Sequence, residues 1–566
     1  MPSQFFGLNI AYTGLLASNA AMNTTSNNIA NVQTEGYSRQ QVTQQAANAL
    51  RVFQTYGCAG AGVETLAIER VRDEFYDGRY WDNNALLGEY DMKQYYMQQL
   101  ETYFDDDGKS TGFKTNFDQL MITGLQALLK DPNSATAKSQ FVGYAGALTD
   151  YFNGMAGNLE KVQKDINQEI KLKVDQINSL AGEIASLNKQ INTIELAGTK
   201  ANELRDRRTL LIDELSKIVD VEVKETPIID ANNENRETGA NRYMVKIAGG
   251  QMLVDGSDYN GLECVARTSY EKVNQTDIDG LYEIYWADGQ KFNLYNASMG
   301  GDLAGLIQMR DGNNGENFTG QVTATGTTTV DGKTHDTVTV KVTKAYLQDL
   351  NKCNLSDQGG VIDLGNQEFY YDSWEYTCEY DANGNATYSY TFTLSDSEKN
   401  PRGITNDRVG KKAEIGTDLS YQGIPYYMNQ MNEWIRTFSQ KFNDILTSGY
   451  SGNGDPGVKM FTGNKATGGE QFLLDDAAKR YDKQEKKNSK VTVKVNDDSY
   501  YRLTAKNFDI LDAMEQDPSL MANRKNASDG VEQNDLLNDL KNLATDKSKM
   551  SFRGNSASEV LQCIFS

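Results

Sequence analysis

Along the first thirty residues, large apolar side chains recur every seventh position, at Leu8, Leu15, Met22 and Ile29. Small ones, Ala11, Ser18 and Thr25, follow three places after the first three. This heptad seam, bulky in one core slot and small in the other, predicts a helix able to approach a neighbour closely. Asn9, Asn19, Asn23 and Asn27 make the opposite side polar. A helix so thinly apolar needs partner helices to bury it. Periodicity alone leaves open whether those partners belong to its own domain or to other copies. Thr34-Glu35-Gly36-Tyr37 then breaks the helix, Gly36 being free to take φ > 0. The Gln-, Thr- and Val-rich residues 38–68 predict extended arms or short strands.

A second heptad series runs through Ile170, Ile177, Ile184 and Ile191, with Leu180, Leu187 and Ile194 in the alternate slot and one interruption at Lys173. It predicts a long coiled-coil-like helix in an antiparallel bundle, inside a helix-rich block over 69–217. From Val219 the period becomes alternating, at Val219, Val221 and Val223, then over 243–247 and 282–286. Gly249-Gly250, Asp255-Gly256 and Asp288-Gly289 supply turns. Residues 321–400 are richer still in Thr, Val and Tyr, with hairpin signals at Asp331-Gly332 and Asp381-Ala382-Asn383-Gly384. Helical pattern returns over 425–447, where Met428, Met431, Trp434, Ile435, Phe438, Phe442 and Ile445 share a face. The β material thus interrupts a helical framework whose halves must meet.

The expected fold is therefore α+β and multidomain, a long helical, coiled-coil-like bundle with inserted antiparallel β domains. The family resemblance given below implies that the bundle forms the inner layers and the β domains the outer layer. Four regions are expected. Residues 1–68 form an assembly helix and extended arm, and 69–218 with 423–566 a helical bundle. Residues 219–312 form a β subdomain, and 313–422 an inserted, β-rich outer domain.

Composition narrows the function. With 56 basic and 78 acidic residues the formal charge is -22, which argues against nucleic acid and against an anionic membrane surface. No stretch approaches the ~20 apolar residues of a membrane span. The opening residues lack the basic and apolar regions of a cleaved signal peptide. Five scattered cysteines (Cys58, Cys264, Cys353, Cys378, Cys563) form no CxxC pair, so neither a zinc site nor a disulfide framework is suggested, although Cys353 and Cys378 could meet within one β domain. The single histidine, His335, excludes every site needing two imidazoles. In its Thr/Val-rich run it reads as a surface strand residue. Asp381–Asn385 resembles the start of a calcium loop, but Ala386 and Phe392 stand where Gly and the closing Glu belong, so a hairpin turn is preferred. Gly452–Gly457 has no following Lys-Ser/Thr and is a loop. Asp105-Asp106-Asp107 reads as a solvated turn. The aromatic run Tyr370, Tyr371, Trp374, Tyr376, Tyr380, Tyr388, Tyr390 fits cross-strand packing, with a carbohydrate-binding face as the alternative. No catalytic constellation, cofactor site or metal site emerges.

One stretch is more specific. Ala21–Val32, containing Asn27, Asn28, Ile29, Ala30 and Asn31, is followed by Gly36-Tyr37-Ser38-Arg39-Gln40. It resembles the N-terminal signature of flagellar rod, hook and hook-associated proteins, and its ending is similar to the hook-associated protein 1 (FlgK) family. Ala201–Arg208 with Asp213–Ser216 resembles that family's "NDLxDQRD…ELS" segment, with Arg207 in place of Gln and Thr209 after Arg208. Gly300–Leu306 with Arg310-Asp311 resembles "GGxLxGLLxxRD". Ile424-Pro425-Tyr426 and Phe442-Asn443 match the helix after it, and Gln533–Leu543 resembles "DNxNAxxLxxL". The likeness spans most of the chain outside about 312–422, which looks like a lineage-specific insertion.

The resemblance implies a structural, non-enzymatic subunit at the distal end of the hook, connecting hook and filament. It implies partners that include copies of itself in a ring or tubular array, the hook protein and the next hook-associated protein. It further implies extracellular placement by flagellar type III export without a cleaved signal. Family members continue into a terminal helix that pairs with the N-terminal one and involves an export chaperone, so such a segment is expected beyond Ser566. The alternatives are another rod or hook subunit, or a flagellar surface protein whose β insertion binds glycan or a host surface. Burying Leu8, Leu15, Met22 and Ile29 yields roughly 1.5–3 kcal/mol each. Ordering a loose arm of ~25 residues costs about 1–2 kcal/mol per residue. The arm is therefore expected to order only in the array.

Overall fold

In the computed structural model the described residues are 5–51, 58–104, 106, 112–230, 233–466, 469–474 and 487–559. Cys563, Asp105 and Asp107 lie outside them. The chain forms two compact units, each assembled from three segments. The first comprises 1–93, 169–265 and 283–306; the second comprises 94–168, 266–282 and 307–566.

The first unit opens with helix α1 (Phe6–Ala30). Strands β1 (Gln40–Ala46) and β2 (Val63–Arg70) follow as an antiparallel hairpin with a bulge at Thr43/Gln44. Helix α2 (Glu74–Phe104) contributes its residues up to Lys93, and helix α3 (Ala135–Glu195) its residues from Glu169. Helix α4 (Asn202–Ile218) leads into a four-stranded antiparallel meander. Its strands are β3 (Val221–Asp230), β4 (Asn233–Ile247), β5 (Gln251–Asp255) and β6 (Asp258–Tyr259).

The α3 heptad behaves as its spacing predicts through most of its length. Ile170, Ile177, Ile184 and Ile191 are buried, as are Leu180 and Leu187. Ile194, the last residue but one of the helix, is exposed instead. Lys173, the interruption, pairs with the buried Asp302 at 2.7 Å. A β-meander lies along this helix in addition to α4. Asn178 bonds the backbone of Leu262 at both ends of its amide (2.8 Å each), Asn188 donates to the Gly256 carbonyl, and Asn192 brackets Asn241. Over this stretch the long helix is thus flanked by strands as well as by α4. Side-chain amides can satisfy strand backbone that would otherwise be left unpaired, and such a role leaves no periodic apolar signal.

In the second unit, helix α5 (Gly301–Asp311) supplies its residues from Ile307, and α6 (Ile424–Thr447) is its central helix. Met428, Met431, Trp434, Ile435, Phe438 and Phe442 are buried on α6, with Leu446 rather than Ile445 completing the face. Trp434 stacks on Phe438 and Phe152, with centroids 4.5 and 5.1 Å apart.

The Thr/Tyr-rich stretch forms β7 (Phe318–Val330), β8 (Lys333–Val342), β9 (Gly360–Leu364), β10 (Glu368–Tyr380), β11 (Ala386–Leu394) and β12 (Lys412–Ile415). Sheet order is β9-β12-β7-β8-β11-β10, and a further β9–β10 pairing closes the ring. A seventh strand, β13 (Ser489–Lys494), adds to the second half of β10 from outside the 313–422 span. Tyr371, Trp374, Tyr376, Tyr390 and Phe392 fill the interior, while Tyr370, Tyr380 and Tyr388 of the aromatic run are half-buried. Asp381 accepts the Asn383 and Asn385 amides in the β10–β11 turn, a hairpin rather than a cation loop. His335 sits half-buried on β8, its Nδ1 3.0 Å from the Leu394 carbonyl oxygen. Asp106 accepts from both the amide and the hydroxyl of Thr115 and so caps a helix start. Cys353 is buried in the barrel core and forms no disulfide with Cys378.

Candidate functional site

The seam on α1 is turned outward. Leu8, Leu15, Met22 and Ile29 are 67%, 59%, 60% and 69% exposed, and Ala11, Ser18 and Thr25 are exposed with them. The helix holds to its own hairpin by a different, mostly polar side on which Ala17 and Thr24 are buried. Gln44 donates to the Ala17 carbonyl at 3.0 Å, and the Val63 amide donates to Thr13 Oγ1 at 3.3 Å. Asn28 clasps the Gln40 backbone, donating to its carbonyl at 2.8 Å and accepting from its amide at 2.9 Å. The Tyr37 hydroxyl donates to Asn28 Oδ1 at 2.9 Å, and Asn31 bonds back onto Asn27. These bonds tie α1 to the β1–β2 hairpin of its own chain. Side-chain-to-backbone bonds each contribute about 0.5–1.5 kcal/mol and hold the helix without using its apolar seam.

The signature residues divide by role. Asn27, Asn28, Asn31 and Tyr37 close the end of α1, and Gly36 turns the chain at φ 73, with Leu210 packed where a side chain would go. Ser38 is buried, its amide donating to Asp206 Oδ2 at 3.1 Å and its hydroxyl accepting from Arg72. Ile29, Ala30 and Arg39 are exposed. Burial, followed by the charges of Asp206 and Glu203, pushes the Tyr37 phenol up, keeping it a neutral donor at physiological pH.

Helix α4 anchors this assembly. Asp206 also takes Arg70 of β2 at 2.9 Å, Asn202 donates to the Ile68 carbonyl, and Gln40 reaches Glu203. One turn on, Arg205 bridges Glu195 and Glu225, and Arg208 lies over the Tyr243 ring at 3.5 Å while bonding Asn188 and Glu225. Burial pushes the Glu195 carboxyl up, but hydrogen bonds and charge from Arg205 outweigh it and hold the group below its ordinary value. Trp81 and Asn84 of α2 bond Asp213 and Ser216 at the far end of α4. A Cβ at Gly301 would lie 2.3 Å from the Ile218 carbonyl, so only glycine permits α5 to start against the end of α4. The Asp206 clamp was missed from sequence. Its signal was an acid in the Ala201–Arg208 segment with no local partner.

A cavity of about 430 Å³ lies beside this clamp, lined among others by Arg70, Trp81, Arg208, Glu225 and Tyr243, whose charges already pair with one another or with Asp206. Among the described residues no group of three or more His, Cys, Asp and Glu could hold a metal. No helix among them is long and apolar enough to cross a membrane.

Residues 8–37 match the family described as flagella basal body rod protein, and 97–331 match the flagellar hook-associated protein FlgK helical domain. Flagellar hook-associated protein 1 of Bacillus subtilis is 36% identical over 231 residues, 39% of this chain and 45% of that protein. Its Escherichia coli counterpart is 31% identical over 264 residues, 46% of this chain and 44% of that protein. The chain thus matches a little under half the length of these relatives. A solved flagellar hook junction protein, FlgK of Burkholderia pseudomallei, is similar at 15% identity and a TM-score of 0.41, over 87% of this chain and 95% of that one. The outward heptad seam thus lies within the segment similar to the flagella basal body rod protein family. Over 97–331 the chain is similar to the flagellar hook-associated protein FlgK helical domain, a likeness it shares with the flagellar hook-associated protein 1 relatives.

Proposed function

We propose that this protein is a structural, non-enzymatic junction subunit that assembles at the distal end of the hook and connects hook to filament. The observation that carries the reading is the exposed, uncharged seam Leu8, Ala11, Leu15, Ser18, Met22, Thr25 and Ile29 on a helix already held by its other side. An apolar stripe of that length stays exposed at a cost unless another surface covers it. Neighbouring copies in a ring or tube cover it, with the hook protein below and the next hook-associated protein above. The subunit reaches that extracellular position through flagellar export, without a cleaved signal, aided by a chaperone that engages the full-length protein. The 313–422 region with its barrel faces outward and carries no assembly role. A glycan-binding role for the barrel has no support from its buried aromatics.

Electron microscopy of a deletion strain tests the reading. Shed filaments with bare hooks are expected, and intact filaments refute it. Restoring the strain with a chain carrying Leu15→Glu and Met22→Glu is expected to leave the hooks bare, because each charge would enter an apolar contact.

A further inference from the structure

The barrel is completed by residues that follow α6 in the chain. Strand β10 pairs with β11 from Tyr371 to Tyr380, but with β9 only over Glu368–Tyr371. The side of Glu375–Tyr380 left open by β9 is taken in antiparallel register by Ser489–Lys494 of β13. The hydroxyls of Thr377 and Thr492 meet at 3.2 Å, and the Val495 amide donates to the Trp374 carbonyl at 3.0 Å. This segment does more than lie along the rim. Val491 and Val493 are buried, and Val495 and Tyr501 belong to the same apolar core as Trp374 and Tyr390. The Tyr501 ring meets Trp374 edge-on at 5.1 Å, and its hydroxyl donates to the Leu355 carbonyl.

Arg436 of α6 holds the same segment from the other side. Its side chain is fully buried and lies 4.4 Å from the Tyr501 ring. The guanidinium donates to the carbonyls of Leu503 at 2.9 Å, Cys353 at 2.8 Å and Asn351 at 3.2 Å, and to Gln275 Oε1. Gln275 in turn donates to the Tyr501 carbonyl at 3.1 Å, and Arg502 pairs with Asp357 at 3.4 Å. A charge taken this far from water is kept only by the hydrogen bonds that replace its hydration. Those acceptors come from three separate stretches of chain, so all three must be in place together. We infer that residues 489–503 are a strap that closes the barrel and fixes it on α6, with Arg436 as the positioning residue. The barrel domain is thus discontinuous, built from 313–422 and 489–503, which order in one step. It is held at a fixed angle to α6 and does not swing as an appendage.

Hydrogen exchange on the full chain tests the strap. The β13 amides that bond β10 are expected to exchange within about tenfold of the rate of β8 and β11, as members of one cooperative unit. Faster exchange than that makes β13 an adherent edge and overturns the inference. Val491→Lys with Val493→Lys is expected to speed exchange in β8 and β11 by about tenfold or more, while Ile170–Ile191 of α3 stays protected and shows that the chain is folded. Unchanged exchange in β8 and β11 overturns the inference. The pin is tested separately, by the distance between nitroxides on unnatural residues at positions 383 and 441. Arg436→Met is expected to widen that distance distribution and Arg436→Lys to narrow it part of the way back. A distribution as narrow in Arg436→Met as in the parent chain removes Arg436 from the role.

Discussion

Helices α1 and α3 carry the same heptad rhythm and meet opposite fates. On α3, from Ile170 to Ile191, every large residue of the main slot is buried; on α1, from Leu8 to Ile29, every one is exposed. The difference lies in what the rest of the chain supplies. Along α3 run the β-meander and α4, with Asn178, Asn188 and Asn192 satisfying strand backbone beside the seam. Among the described residues, a two-stranded hairpin runs along α1 and takes the Thr13, Ala17 and Asn28 side. A heptad states that a helix wants a partner; the fold determines whether that partner is already in the chain.

The comparison can be broken at its anchor. Asp206→Ala leaves Arg70 and the Ser38 amide without their shared acceptor, and removing one member of a buried pair costs about 3–5 kcal/mol. Limited proteolysis should show the 38–70 hairpin released from α4 well before the rest of the chain unfolds. Next comes the buried seam itself. Ile184→Ala on α3 should cost about 2–5 kcal/mol in denaturant unfolding, as expected for a core cavity.

A smaller effect concerns pH. The depressed Glu195 carboxyl contributes stability that is fully present above the ordinary glutamate value and is lost as pH falls through its lower folded value. Glu195→Gln should therefore flatten the acid limb of a melting-temperature profile, and an unchanged limb would remove Glu195 from the clamp. Smallest of all is the exposed seam. Leu15→Ala or Met22→Ala should shift monomer stability by no more than about 0.5 kcal/mol. A cost like that of Ile184→Ala would mean that the α1 seam is buried within its own chain.

Much of the architecture was legible in the residues. The strand period after Val219, the turn at Asp331-Gly332, the apolar face of α6 and the break at Gly36 all follow from local rules of pleat, helix and backbone freedom. The signature residues were legible as a set but not by role. Asn28 and Asn31 act on backbone a short way along the chain, whereas Asp206 meets Ser38 and Arg70 across 168 and 136 residues. Polar partnerships of that range leave no period to read.

The sequence alone determined where helices and strands form and that two of the helices demand apolar partners, because side-chain periodicity is a property of the local backbone. Only the tertiary structure decided which demand is met. It closed the tyrosine-rich strands into a barrel, brought β13 to its edge, and left the α1 seam uncovered. Burial depends on what arrives in space opposite a residue, and that is settled by contacts distant in the chain.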